Sequence, residues 1–107
     1  MPYYKTYFDN VRLGYKLVTE QNIEKLSDQK ALAEIADKCQ VLLPIFERLS
    51  DPIAKCKLFT ALAKCKLKIF SLELKASKID KKKYLMAVKP YVALQIQASA
   101  LNKKFCA

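Results

Sequence analysis

Apolar residues recur at intervals of three and four along most of this chain, which is the spacing of an amphipathic α-helix. The pattern predicts four helical segments, at residues 4–18, 28–49, 51–76 and 81–104. One alternation, "CKLKI" at 65–69, would suit a strand, but its phase breaks at Phe70 and Ser71. Short connections favour antiparallel neighbours. The predicted fold is therefore all-α: a single domain over residues 1–107, built as a small bundle of about four helices.

Capping residues and prolines mark the expected ends of these helices. Ser27 or Asp28 is a suitable N-cap for the second segment, and Asp80 for the fourth. The sequence "SDP" at 50–52 is typical of a helix start, with a capping Ser or Asp followed by proline near the first helical position. Pro44 is expected to kink the second helix or to end it near Leu43, and Pro90 to kink the fourth.

The third segment is apolar on two opposite sides. One stripe contains Ala54, Leu58, Ala61, Leu62, Cys65, Ile69, Leu72 and Ala76, and the other contains Cys56, Phe59, Ala63, Leu67, Phe70 and Leu74. A helix at the surface of a small bundle needs only one apolar stripe. Either this helix lies at the centre and packs on both sides, or one stripe contacts another protein. The second interpretation is favoured, because a large apolar patch would otherwise face water.

The first segment adds a second candidate contact surface. Its helical face is dense in aromatic rings, which favours burial against another surface. The predicted partner interface combines this face with the second stripe of the third segment. It consists of Tyr4, Tyr7, Phe8, Val11, Tyr15, Cys56, Phe59, Leu67, Phe70 and Leu74.

The pentapeptide "AKCKL" occurs twice, at 54–58 and 63–67, and places two cysteines nine positions apart. Nine residues make two and a half helical turns, so Cys56 and Cys65 are expected on opposite sides of the helix. A disulfide needs Cα atoms within about 7 Å, and the chain has no histidine to complete a mixed zinc site. The cysteines are therefore predicted to be small apolar packing residues.

The chain has a formal net charge of +10, and this whole excess of basic over acidic residues lies in its second half. Residues 1–50 hold seven basic and seven acidic side chains, whereas residues 51–107 hold thirteen lysines and three acidic residues. Such asymmetry indicates an anionic partner: an acidic protein surface, anionic lipid or, as the second choice, nucleic acid. The candidate contacts are a seam on the third helix and a run in the first turn of the fourth: Lys57, Lys64, Lys68, Lys75, Lys81, Lys82 and Lys83.

We do not expect an enzyme. The chain has no histidine to act as a base, no glycine-rich phosphate loop and no nucleophile elbow. We likewise expect no cofactor, no metal and no small-molecule substrate. No apolar run is long enough to cross a bilayer, and the N-terminus lacks the apolar core of a secretory signal, so we expect a chain that is not secreted.

Several short pieces resemble subunit 7 of the mitochondrial cytochrome bc1 complex, the small helical "ubiquinone-binding protein" family. They are Tyr3–Tyr4, the segment "FDNVRLGYK" at 8–16, Arg48–Leu49, Lys57–Phe59, and the segment "YLMAVKPYVALQIQA" at 84–98 with Pro90 and Tyr91. The similarity spans most of the chain, with insertions after Lys16 and after the third helix. It implies a non-catalytic subunit of the respiratory electron-transport chain. Such a subunit would pack against cytochrome b and the core proteins on the matrix side of the inner membrane.

Three functional hypotheses follow. The first is an accessory subunit of a larger, mitochondrial assembly, held there by protein–protein interaction. The second is a basic helical module that binds nucleic acid or the ribosome nonspecifically, and that would be cytoplasmic if the mitochondrial expectation fails. The third is a self-contained helix-bundle regulator or immunity-like protein. The scarcity of arginine, with only Arg12 and Arg48, argues against specific base recognition.

Overall fold

Four α-helices account for nearly all of the molecule, which confirms the all-α fold class. The computed structural model describes the backbone of residues 2–105 and the side chains of residues 7–105. The helices are α1 (Pro2–Thr19), α2 (Gln29–Arg48), α3 (Pro52–Lys75) and α4 (Lys81–Phe105), and a short 3-10 turn, Ile23–Lys25, lies between α1 and α2. None of the helices within residues 2–105 is both long enough and apolar enough to cross a membrane.

Aspartates at N-cap positions start three of the helices. The carboxylate of Asp28 accepts a hydrogen bond from the backbone N–H of Lys30 at 3.0 Å, at the start of α2. Asp51 accepts from the N–H of Ala54 at 3.0 Å and begins α3, with Pro52 directly after it. Asp80 accepts from the N–H of Lys83 at 2.7 Å. Each carboxylate satisfies a backbone donor that has no partner inside the helix and carries the negative charge that a helix N-terminus favours.

The same C-terminal hydrogen-bonding motif ends α2 and α3 and begins the connections to α3 and α4. Ser50 and Ser77 follow the last turns of α2 and α3 and have positive φ angles of 54° and 58°. After α2, the N–H of Ser50 donates to the carbonyl of Glu47 at 3.1 Å, and the N–H of Asp51 donates to Phe46 at 3.2 Å. The Ser77 and Lys78 N–H groups repeat this pattern on Leu74 and Glu73. Both are Schellman motifs, which reverse the chain within a few residues.

The helix α3 lies at the centre of the molecule. Its first stripe packs against α1 and α2. The largest fully buried side chains are Leu58 and Cys65 of α3 together with Leu32, Cys39 and Val18. Its second stripe packs against α4, where the Cys56 thiol donates to the carbonyl of Ala98 at 3.1 Å. The two AKCKL cysteines therefore do lie on different faces of α3. Of the two interpretations that the sequence left open, the structure shows the central helix that packs on both sides.

The helices α1 and α4 flank α3 without forming a substantial interface with each other. The Phe70 and Tyr91 rings, 6.0 Å apart between centroids, pack the middle of α4 against the C-terminal part of α3. On the other side of α3, the Tyr15 ring of α1 packs against Phe46 of α2 at 5.1 Å. Because α1 and α4 approach α3 from different sides, a groove remains open between them.

The prolines do not end their helices. Pro44 lies inside α2, which continues to Arg48, so the alternative in which α2 ends near Leu43 is wrong. Pro90 lies inside α4 in the same way. A proline removes the N–H that would bond the carbonyl four residues earlier. Pro44 and Gln40 are both exposed, as are Pro90 and Met86, so water can bind the carbonyl that loses its partner.

Candidate binding surfaces

The aromatic residues of α1 are only partly used by the fold. Val11 is buried, and Tyr15 is half-buried against Phe46. Tyr7 and Phe8 are exposed and meet edge to face, with ring centroids 5.5 Å apart. The predicted contact residue Tyr4 lies in α1, but its side chain is outside the described residues 7–105. The exposed part of the predicted α1 interface is thus the Tyr7–Phe8 pair.

The second stripe of α3 is mostly covered by α4. Cys56 and Ala63 are buried, whereas Phe59, Leu67, Phe70 and Leu74 are half-buried. These residues serve an internal helix–helix contact, and only their outer edges reach solvent. The α3 residues of the predicted partner interface therefore lie where α3 contacts α4.

The lysine seam of α3 is partly engaged inside the chain. The Lys68 ammonium group donates to the carbonyl of Ile23 at 3.0 Å and also to the carbonyl of Glu24, so it ties α3 to the 3-10 turn. Lys64 forms an ion pair with Glu24 at 3.7 Å. Lys57 and Lys75 are exposed and have no ion-pair partner among the described residues. The four lysines therefore do not form one uniform cationic track.

Lys81, Lys82 and Lys83 are all exposed in the first turn of α4, as the sequence suggests. Positive side chains are unfavourable there because the helix N-terminus is itself positive. The carboxylate of Asp80, bonded to the N–H of Lys83, offsets part of that cost. The run remains free to meet an external anion.

The open groove is an elongated cavity of about 820 Å³ bounded by α1, α3 and the C-terminal half of α4. Apolar residues with little exposed area lie along its floor: Val18, Ile23, Phe46, Cys56, Ala61 and Ala98. Four basic side chains line it, Arg12 and Lys16 from α1 and Lys57 and Lys64 from α3, and Glu20 is its one acidic lining residue. We call this feature the α1/α3/α4 groove.

The outer side of α4 carries a second surface, which we call the α4 stripe. It consists of Lys82, Leu85, Met86, Lys89, Val92 and Ile96, which follow one another at intervals of three or four residues, except for the adjacent pair Leu85–Met86. Its apolar side chains are far from buried: Leu85 is 57% exposed, Ile96 67% and Met86 70%. The described part of α4 contains six lysines and no acidic residue. The stripe is apolar and cationic at once.

Neither surface was assigned from the sequence. The spacing of Leu85, Val92 and Ile96 at i, i+7 and i+11 was the available signal for the α4 stripe. That signal could not be separated from a stripe that packs inside the bundle. The α1/α3/α4 groove had no local signal, since it arises from residues up to 90 positions apart, Arg12 and Asn102.

The buried thiols have the properties of packing residues. Burial, together with a smaller contribution from the nearby Cys65 thiol, raises the pKa of Cys39 to about 12. Burial also raises the pKa of Cys65, to about 11. Both thiols therefore stay protonated at neutral pH, which suppresses nucleophilic and metal-binding reactivity. Within the described side chains, no cluster of three or more His, Cys, Asp or Glu residues is arranged to hold a metal ion.

Comparison with known protein families, with curated proteins and with solved structures gives no match to this chain.

Proposed function

We propose that this chain is a non-catalytic accessory subunit that docks on an acidic protein surface of a larger assembly through the α4 stripe. The observation that carries the proposal is the composition of that stripe. Its exposed leucine, methionine and isoleucine lie among lysines, on a helix without a single acidic residue. An exposed cluster of large apolar side chains on a small domain is typical of an interaction site.

The packing of α4 supports this role. The helix uses one side to contact α3, and within residues 81–105 only Val88 and Ala98 are buried. Many of its other apolar side chains contribute nothing to the core and are costly to leave in water. A partner that covers Leu85, Met86 and Ile96 would remove that cost, which for a large aliphatic side chain is about 1.5–3 kcal/mol when burial is complete.

The position of Lys89 favours a protein over a bilayer. An interfacial helix keeps its apolar face continuous and places lysines along the polar side. Lys89 instead lies in the middle of the stripe, four residues after Leu85 and three before Val92. A carboxylate on a protein partner can pair with it in place, whereas the acyl layer of a membrane cannot. The expected partner surface is apolar and bears Asp or Glu opposite Lys82 and Lys89.

The respiratory cytochrome bc1 complex is one specific candidate for the assembly. The support for it is the resemblance of the segments at 8–16 and 84–98 to the family of subunit 7, and the second of these segments contains most of the α4 stripe. On this proposal the chain is mitochondrial and peripheral on the matrix side. Nonspecific nucleic-acid binding is less well supported, since Lys64 and Lys68 of the seam are already engaged within the chain.

The test compares two double variants in the native cell. In Leu85→Ser/Ile96→Ser, two exposed side chains of the stripe become polar. The matched control, Val41→Ser/Leu49→Ser, changes two side chains with similar exposure, 67% and 53%, on α2 and just after it. All four positions are exposed, so folding should be little affected. The tagged wild-type chain is expected to migrate in a large native complex with a stoichiometric acidic partner that mass spectrometry identifies.

The stripe variant should migrate as the free 12.3 kDa chain, whereas the α2 control should stay in the complex. The wild-type chain should bind only weakly to vesicles of phosphatidylserine and phosphatidylcholine and to a random-sequence RNA. It should dissociate from both in moderate salt. A wild-type chain that migrates alone, or equal loss in both variants, would refute docking through α4. Salt-resistant binding to the vesicles would show that the α4 stripe binds a membrane and not an acidic protein.

A further inference from the structure

The α1/α3/α4 groove has the shape and lining of a ligand site, and nothing in the proposed function uses it. Its volume of about 820 Å³ lies within the range of about 300–1,000 Å³ typical of small-molecule pockets. It exists because α1 and α4 both pack on α3 without closing against each other. Along α3 its wall runs from Cys56 to Lys64, a distance of about 12 Å at the helical rise per residue.

The floor of this groove is apolar and its basic residues come from two helices. Small side chains, Cys56, Ala61 and Ala98, leave room between the helices. The Cys56 thiol already donates to the carbonyl of Ala98, so two polar groups at the floor are paired with each other and need no ligand. An alkyl chain is the kind of group that such a floor can accept.

The charges around the groove indicate which polar head group a ligand with an alkyl chain would carry. Arg12 and Lys16 on α1 face the groove from one wall, and Lys57 and Lys64 from another, against the single acidic residue Glu20. Lys64 already pairs with Glu24, whereas Lys57 has no ion-pair partner among the described residues. Arginine binds a carboxylate or phosphate group with two parallel hydrogen bonds, and lysine adds a point charge. These groups favour an anion at the mouth of an apolar cleft.

We infer that the α1/α3/α4 groove binds a single-chain anionic amphiphile, with its alkyl chain on the floor and its head group between Arg12 and Lys57. A carboxylate and a phosphate head group share the chemistry that this site recognises. The inference does not require docking through the α4 stripe, because Arg12, Lys57 and the apolar floor all lie outside that stripe. The two surfaces are neighbours, since Val92 and Ile96 of the stripe line a smaller pocket together with Thr60, Lys64 and Ser99 of the groove. An acidic partner helix in the same groove is the competing occupant.

The binding test uses laurate below its micelle concentration, followed by calorimetry and by backbone amide shifts in NMR. Laurate is expected to bind with defined stoichiometry and to shift the amides of residues around Thr60, Ala61 and Ala98. Acetate, which has the head without the chain, should not bind, and dodecanol should bind more weakly than laurate. Dodecyl phosphate shows whether a phosphate head is preferred to a carboxylate.

The variant Arg12→Gln/Lys57→Gln should weaken laurate binding about tenfold or more, as expected for the loss of hydrogen bonds to charged groups. The matched control Lys30→Gln/Arg48→Gln removes the same charge from exposed residues outside both the groove and the α4 stripe, and should change affinity little. A further variant, Ser99→Phe, places a ring in the groove from an exposed position on α4 and should block binding without unfolding the chain.

Equal weakening in the two glutamine variants would show a general charge effect and would overturn the inference. Laurate shifts confined to Leu85, Met86 and Lys89, which do not line the groove, would overturn it as well, because the ligand would then lie on the α4 stripe. Tighter binding of an acidic amphipathic peptide than of laurate, with shifts in the amides of the groove residues, would contradict the inference. That result would identify a helix of a partner protein as the occupant of the groove. Failure of the docking experiment would affect none of these readouts.

Discussion

Cys39 of α2 and Cys65 of α3 are fully buried in the same core cluster. Their thiols pack as small apolar groups where α2 meets α3, and burial keeps both of them protonated. In the unfolded chain the same thiols are exposed and titrate near their ordinary pKa of 9.0. Because the thiol pKa values are higher in the folded chain than in the unfolded chain, the free energy of unfolding depends on pH in the alkaline range.

Stability should therefore be unaffected by these thiols below about pH 9 and should fall as pH rises above it. Between pH 9 and the folded-state pKa values of about 11 and 12, the unfolded chain releases thiol protons that the folded chain retains. Each thiol then lowers the free energy of unfolding by up to about 1.4 kcal/mol per pH unit. Urea denaturation at a series of pH values from 7 to about 10.5 measures this slope.

The control is the variant Cys39→Ala/Cys65→Ala. It is expected to be less stable at every pH, because buried volume is lost, but its stability should fall less steeply above pH 9 than that of the wild type. All other ionisable side chains are the same in both proteins, so the difference between the slopes isolates the two thiols. Identical slopes would show that Cys39 and Cys65 do not retain their protons in the folded state.

Single residues differ in how far the sequence reveals their role. The opposite placement of Cys56 and Cys65 follows from the helical repeat alone, since nine residues give two and a half turns. The hydrogen bonds from Lys68 to the carbonyls of Ile23 and Glu24 could not be predicted. They join positions 45 and 44 residues apart and depend on how the 3-10 turn folds back on α3.

Among the helix connections, Ser50 and Ser77 adopt a conformation that glycine accepts with less strain. Their φ angles of 54° and 58° lie in the left-handed region, where a Cβ atom comes close to the backbone. Glycine is the usual residue at this position of a Schellman motif. The chain contains one glycine, Gly14, and uses none at these two turns.

Ser50→Gly and Ser77→Gly should each stabilise the fold by about 0.5–1 kcal/mol. Relief of the left-handed strain is worth about 1–2 kcal/mol, and the added freedom of the unfolded chain offsets about 0.5–1 kcal/mol of it. Thermal or urea unfolding measures the change. Ser71→Gly, in the interior of α3, is the matched control and should destabilise by a similar amount. Stabilisation by neither Ser50→Gly nor Ser77→Gly would show that the serines at the turns are unstrained.

The helices themselves were largely predictable. Each observed helix begins and ends within two residues of the predicted bounds. Asp28, Asp51 and Asp80 are the local signals that mark the starts of α2, α3 and α4. Sequence reasoning left two candidates for the cap of α3, and the structure assigns Asp51 to the cap and Ser50 to the preceding turn. The predicted segment 28–49 passes through Pro44, but the sequence left open whether this proline kinks or ends the helix, and the structure shows that α2 continues to Arg48.

At the scale of the whole molecule, α3 holds the other elements together. It has seven buried residues, whereas α4 has two and makes its substantial contacts with α3 alone. A helix that is attached along one side, with few buried side chains, can open while the rest of the fold persists. The α1 segment near Tyr7 and Phe8 is similarly exposed.

Amide hydrogen exchange should therefore be slowest in α3 and in the part of α2 around Leu32 and Cys39, and faster in α4. Mass spectrometry of peptides after timed labelling gives the protection of each helix. Cys56→Ala removes the hydrogen bond to Ala98 and should speed exchange in α4 more than in α2. Protection of α4 equal to that of α3 would mean that the bundle opens only as a whole.

The arrangement of the helices was only partly contained in the sequence. Two apolar stripes on the third helix indicated that it packs on both sides or meets a partner. The choice between these depends on whether the fourth helix reaches across α3, which no local pattern records. The α1/α3/α4 groove and the α4 stripe follow from that choice, since covering one face of α3 leaves the outer side of α4 bare.

The central place of α3 also has a consequence for how the chain is made. A ribosome releases α1 and α2 first, and these two helices share far fewer contacts with each other than each of α2 and α4 shares with α3. The nascent chain thus has little to fold on until residues 52–75 have left the exit tunnel. For that interval Leu32, Ala36 and Cys39 lack the α3 side chains that bury them in the folded protein, and stay exposed on the nascent chain.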